Sequence, residues 1–187
     1  FEATRTGYAF AGWKVDADTT ITDGKIKNLT TEEETITLTA VWSANKYIVN
    51  FDSKKPSSAS NQVTGTMNAQ EFEYEVEEAI NTNTFKLTGW SFTGWNTNAN
   101  GVGGEAFGDG DNLSTLITSG STTLYAQWSV NDYDVTLYNN HSATDTTVFK
   151  TINQTFDSKY VLEDTTREGY TFKGWYTSRT GGTQITE

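Results

Sequence analysis

The chain has 187 residues, 35% hydrophobic and 13% aromatic, and its 24 acidic against 13 basic residues give a formal net charge of −11. That balance, with no Lys/Arg run, excludes phosphate neutralisation on nucleic acid and an electrostatic hold on anionic lipid. No apolar run reaches the ~18–20 residues of a spanning helix. The absence of cysteine removes disulfides, thiolate metal sites and cysteine nucleophiles, and a Thr- and aromatic-rich composition with one proline predicts a mostly β or α+β fold.

The first predicted element is the strand in "RTGYAFAGWK" (5–14), where Tyr8 and Phe10 share a face and Trp13 has the opposite parity. A glycine inside a strand marks a bulge, so Gly12 is expected to kink the chain and turn Trp13 into the core. The preceding Gly7 ends a turn. "VDADT" holds Asp16 and Asp18, a weak calcium candidate. A closing strand, "TLTAVW" (37–42), ends at Trp42, and "SANK" leads on as a four-residue linker.

In "YIVNF" (47–51), alternation puts Tyr47, Val49 and Phe51 on the core face. Residues 54–70 form a polar stretch longer than a tight hairpin needs. "QEFEYEVEE" (70–78) predicts a strand with Phe72, Tyr74 and Val76 inward and a row of Glu71, Glu73, Glu75 and Glu77 outward, a charged face that discourages edge pairing. One helical turn is expected in "EEAINTN" (77–83). "LTGWSFTGWNT" (87–97) repeats the glycine phrase with Trp90, Phe92, Gly94 and Trp95.

The Gly- and Asp-rich loop "GVGGEAFGDGDN" (101–112) is the calcium candidate, because Asp109, Asp111 and Asn112 cluster hard oxygen ligands; a plain turn is the alternative. "TLYAQW" (123–128) is a second closing strand, with Leu124, Ala126 and Trp128 on one face. "SVND" joins it to "YDVTL" (133–137). His141 lies beside Ser142 and Asp145 in a polar loop, a poor frame for a catalytic triad. Surface acids are plentiful, but no pair is singled out for glycoside hydrolysis. A second helical turn is expected in "VLEDTT" (161–166). "REGYTFKGWYT" (167–177) writes the phrase a third time with Tyr170, Phe172, Gly174 and Trp175.

These copies keep one order and a period of 80–86 residues: Trp13, Trp95 and Trp175 stand in register, as do Trp42 and Trp128. The expected organisation is the C-terminal part of a module at 1–45, a complete module at 46–130 and the N-terminal part of another at 131–187. Such an arrangement reads as a fragment of a longer tandem array. The two end parts could also complement each other between molecules. The aromatic phrase could be a sugar-stacking platform or the spine of the fold. All six tryptophans fall at repeat positions, so packing is the expectation.

"REGYTFKGWYT", "GWNTNANGVGGEAFGDGDNL" and "TLYAQW" together resemble the Listeria–Bacteroides repeat, found in internalin-like bacterial surface proteins. The resemblance implies tandem β-grasp (ubiquitin-like) modules, a small sheet wrapped on a short helix, in an extracellular protein of the bacterial cell surface. It implies no catalytic residue and no cofactor, and a stalk or spacer role; the alternative is an adhesive module for a host surface protein or glycan. Neighbouring repeats are the other expected partner. What it carries over is packing, at Tyr8, Phe10, Gly12 and Trp13, at Phe92, Gly94 and Trp95, and at Tyr170, Phe172, Gly174 and Trp175. The middle copy departs from the pattern at Leu87, where the other copies have Arg5 and Arg167, at Trp90, and in the long 54–70 stretch.

Overall fold

A computed structural model of the chain describes residues 3–15, 20–25, 27 and 35–186; the pair Asp16 and Asp18 lies outside them. Every regular element among the described residues is a strand. The first sheet has the order β2-β1-β3, from β1 (Tyr8–Lys14), β2 (Thr20–Ile21) and β3 (Thr39–Ala44). The second has five strands: β4 (Lys46–Asp52), β5 (Gln70–Glu73), β7 (Trp90–Asn96), β8 (Ala106–Phe107) and β10 (Gly120–Val130), in the order β5-β4-β10-β7-β8. A short pair, β6 (Glu78–Ala79) with β9 (Asn112–Leu113), accompanies it. Finally β11 (Asp132–Tyr138) pairs with β12 (Val148–Thr155).

The five-stranded sheet holds the main core, and alternation explains it. Tyr47 and Val49 of β4, Phe72 of β5, and Leu124 and Ala126 of β10 are each at most 1% exposed, while Ile48 on the other face of β4 is 42% exposed. Long β10 sits at the centre, parallel to β4 and antiparallel to β7. β4 pairs along its first half, Gly120 to Tyr125, and β7 along its second, Tyr125 to Val130, so the two partners overlap only at Tyr125.

The glycine phrase bulges as its spacing predicts. Opposite β3, Phe10 pairs with Trp42 and Gly12 with Val41, leaving Ala11 as the extra residue; opposite β10, Thr93 is extra in the same way. Gly12 and Gly94 adopt φ of 138° and 139°. A Cβ at Gly94 would come within 2.7 Å of the Phe107 carbonyl oxygen of β8, so only glycine lets the neighbouring backbone approach. The bulge reverses the parity and sends Trp95 inward, to 1% exposure. Phe92 then stands edge-on between Trp95 and Trp128, at centroid distances of 5.0 and 5.8 Å. Phe10 stands likewise between Trp13 and Trp42, at 5.3 and 5.6 Å.

Three local expectations are corrected. The glutamate row does not run along one strand: β5 stops at Glu73, Glu75 turns the chain at φ 63°, and Val76 is 48% exposed. The turn is held because the Glu75 N–H donates to the Ser114 carbonyl at 2.7 Å. Neither expected helical turn is found. Residues 78–79 form β6, and the Gln70 side chain clamps both sides of them, donating to the Ala79 carbonyl and accepting from the Asn81 N–H at 2.9 Å each. Residues 161–166 have no regular structure, so the short helix implied by the resemblance has no counterpart among the described residues. The linkers are also shorter than four residues: only Asn45 separates β3 from β4, and only Asn131 separates β10 from β11.

Candidate functional site

The two single-residue linkers are built alike. Asn45 donates its N–H to the Gly7 carbonyl at 2.9 Å and accepts at its own carbonyl from the Tyr74 N–H at 2.9 Å. Asn131 does the same with Gly89 and Phe156, again at 2.9 Å each. Each asparagine therefore ties the glycine phrase behind it to the strand pair ahead of it. The side chains add to the tie. Asn45 Nδ2 donates to the Thr118 carbonyl at 3.1 Å, and the Asn131 carboxamide oxygen accepts from the Ser91 hydroxyl at 2.6 Å.

At each junction an aromatic ring covers the first glycine of the phrase. A Cβ on Gly7 would meet the Tyr74 ring at 2.2 Å, and one on Gly89 would meet the Phe156 ring at 2.0 Å. These glycines carry φ of 75° and 78°. They satisfy two demands, a left-handed turn and a bare surface for the ring. The residue after each ring, Glu75 or Asp157, is non-glycine with φ near 60° (63° and 61°), so the corner too is repeated.

The polar locks differ. At the first junction Arg5 pairs with Glu75 at 3.0 Å and lies over the Tyr8 ring, 3.5 Å from its centroid. The Tyr8 hydroxyl donates to the same carboxylate at 2.5 Å, and this bond raises the tyrosine pKa above its ordinary value. Tyr8 also meets Tyr74 edge-on at 5.9 Å. At the second junction Leu87, Trp90 and Asp157 occupy the matching positions. Here Asp157 accepts from the backbone N–H of Ser60 at 3.1 Å and from its hydroxyl at 2.5 Å. Leu87 and Ala59 are both 4% exposed.

The other candidate residues fall elsewhere. Asp109 accepts from the Asn83 N–H at 2.7 Å, Asp111 from the Gly108 N–H at 2.5 Å, and Asn112 lies in β9. Both carboxylates thus hold backbone turns. Among the described residues no group of three or more His, Cys, Asp or Glu side chains is placed to hold a metal. Asp145 accepts from the N–H groups of His141 and Thr147, at 2.8 and 2.9 Å. Hydrogen bonds from Thr147, then from the His141 backbone, hold its carboxyl well below the usual carboxylate range. It organises its loop, in which Arg179 also anchors on Asn140 and Ser142, and it is the backbone N–H of His141 that Asp145 engages. Trp13, Trp42, Trp90, Trp128 and Trp175 are half-buried.

The junction residues are the part that composition does not single out. Asn45 and Asn131 had a signal in the third position of both linkers. So did the aromatic–acid pairs Tyr74–Glu75 and Phe156–Asp157, which share the repeat period.

The chain matches the Listeria-Bacteroides repeat domain family over residues 2–41, 47–127 and 133–187, and it belongs to that family. It is 32% identical over 182 residues to a protein of Evansella cellulosilytica described as a Gly-rich membrane protein, covering 92% of this chain and 19% of the relative. A second protein of that organism, described as a membrane protein, is 30% identical over 185 residues, covering 95% of this chain and 24% of the relative. Internalin H of Listeria monocytogenes is 34% identical over 99 residues, covering 51% of this chain and 16% of its own length. The chain thus spans a quarter or less of the relatives it matches. No solved structure matches it.

Proposed function

We propose that this chain is a non-catalytic stalk or spacer segment of a bacterial cell-surface protein, built of β-grasp-like repeats with a complete unit at 46–130 and partial units at 1–45 and 131–187. The observation that carries the reading is the repeated junction: one asparagine, two backbone bonds and a ring seated on a glycine at each step. A linker of one residue with both backbone groups engaged leaves little freedom between consecutive units, and limited bending is what a projecting rod requires. Like net charge along the array adds repulsion between distant units. The names of the relatives agree with a surface setting.

Small-angle scattering on the full chain tests this. A stalk gives an elongated particle with a single, well-defined maximum dimension. A distribution of bent shapes would count against it. The second reading, adhesion to a host protein or glycan, is favoured by exposed aromatics in the last segment, with Tyr133 48%, Tyr170 66% and Tyr176 49% exposed. A binding screen on immobilised glycans and matrix proteins decides between them. Saturable binding supports adhesion, and a blank on every surface leaves the stalk.

A further inference from the structure

Tension along the chain enters the five-stranded sheet at one end of a strand pair and leaves at the other. Through Asn45, β3 runs into β4 at Lys46; through Asn131, β10 runs on from Val130 into β11. The entry and exit strands, β4 and β10, lie side by side and parallel, from Gly120 opposite Tyr47 to Tyr125 opposite Asp52. In a parallel pair both strands start at the same end. A pull on the start of β4 and the finish of β10 is therefore directed along the strands in opposite senses. It loads all the hydrogen bonds of the ladder together. A pull across two paired residues would instead open the ladder one rung at a time.

We infer that the β4–β10 pair is a shear clamp that keeps the sheet folded under tension, an inference that rests on the stalk reading proposed above. Further contacts oppose sliding of the same two strands. The Asn50 side chain of β4 donates to the Thr122 carbonyl of β10 at 3.1 Å. Trp128 Nε1 of β10 donates to the carbonyl of Ser53, just past the end of β4, at 2.8 Å. On the core face Tyr47, Val49, Leu124 and Ala126 are at most 1% exposed, so sliding would pull close-packed side chains out of their places. Along its second half β10 is held by β7, where the bulge at Thr93 pins the register. Along its first half β4 is also held by β5, from Lys46 opposite Glu73 to Val49 opposite Gln70. Neither loaded strand can be drawn out without shearing two ladders. The clamp lies between two joints of one residue each, so tension passes from strand to strand with almost no intervening chain.

The test is constant-force stretching of the full chain in an optical trap. The chain has no cysteine, so a pair of introduced cysteines fixes where the force acts. Lys46→Cys with Ser129→Cys, both exposed positions, loads the pair along the strands. Ile48→Cys with Ser121→Cys, directly opposite each other, loads the same ladder across them. Only molecules that release the whole length between their anchors are scored, which excludes misfolded ones. At equal force the lifetime along 46–129 should exceed that across 48–121 by about tenfold or more, because the bonds share the load. Adding Trp128→Phe, which keeps a ring and loses the bond to Ser53, should shorten the lifetime along 46–129 about fivefold and leave that across 48–121 unchanged. Equal lifetimes in the two directions, or stepwise lengthening along 46–129, would overturn the clamp. Equal lifetimes in a chain that scatters as an elongated particle would reject the clamp and keep the stalk; a tenfold difference in a chain of bent shapes would do the reverse.

Discussion

Replacing Gly89 with alanine tests the junction directly, and Gly169 supplies the control. Both glycines adopt nearly the same backbone, φ 78° and 77°. Alanine in that left-handed region costs about 1–2 kcal/mol at either position. Only Gly89 is covered: its added Cβ would lie 2.0 Å from Phe156, whereas nothing lies within 4 Å of the same atom at Gly169. The ring must therefore leave its seat, and crowding of this kind costs a further ~1–3 kcal/mol. The expected difference between G89A and G169A is thus about 1–3 kcal/mol, all of it assigned to the junction. Amide exchange of Asn131 and Phe156 reads it locally, because their N–H groups donate to Gly89 and Asn131 respectively. Exchange there should accelerate about 5- to 150-fold in G89A relative to G169A, and scattering should show a broadened shape. Equal exchange in the two variants would refute the argument that the ring on the glycine fixes the joint.

The first junction should soften with salt and the second should not. Raising ionic strength, or Arg5→Ala, is expected to speed exchange at Asn45 and Tyr74 by an amount equivalent to at most ~1 kcal/mol, since Arg5 and Glu75 are 45% and 47% exposed. Exchange at Phe156 serves as the unchanged reference. The Tyr8 hydroxyl gives that junction an alkaline limit. Its folded pKa is raised, so the stabilisation from its bond to Glu75 is complete below the unfolded value of about 10 and is lost as pH climbs through the folded value. The stability gap between the parent chain and Tyr8→Phe should be constant from pH 7 to 9 and close above pH 10, as followed by denaturant titration. Calcium or a chelator is expected to move the melting temperature by less than about 1 °C, because Asp109 and Asp111 already hold backbone N–H groups. A concentration-dependent rise of several degrees would restore the metal site.

The period-2 strands were legible because each has one dry face: Tyr47, Val49, Leu124 and Ala126 declare themselves by alternation alone. The bulge at Gly94 was legible too, since parity fails only if a residue is inserted. The ends of elements were not. Reading 70–78 as one strand follows from uninterrupted alternation, but Tyr74 and Glu75 are claimed by a junction formed with residues nearly 70 positions earlier. A non-glycine residue with positive φ leaves no mark in the pattern. Likewise "EEAINTN" reads as a helical turn locally, and only β9, more than 30 residues on, makes it a strand. The junction asparagines repeat in register, yet asparagine is so common in turns that spacing alone assigns no role.

Two of the departures of the middle copy, Leu87 and the long 54–70 stretch, belong together. Thr64 and Lys86 exchange backbone hydrogen bonds at 2.9 Å in both directions, which lays the long stretch alongside the start of the glycine phrase. A Cβ on Gly65 would reach the Thr84 carbonyl oxygen at 2.2 Å, so the two backbones are packed in contact. With that cover in place, residue 87 is 4% exposed. An arginine there would lose its water while the matching acid, Asp157, is already held by Ser60. An uncompensated buried charge costs several kcal/mol, so leucine is the stable choice. At the first junction the lock is open to solvent, and an ion pair over Tyr8 serves. The same corner is therefore closed in two ways: by an ion pair over Tyr8 at the first junction, and at the second by an exposed Ser60–Asp157 lock beside a buried Leu87.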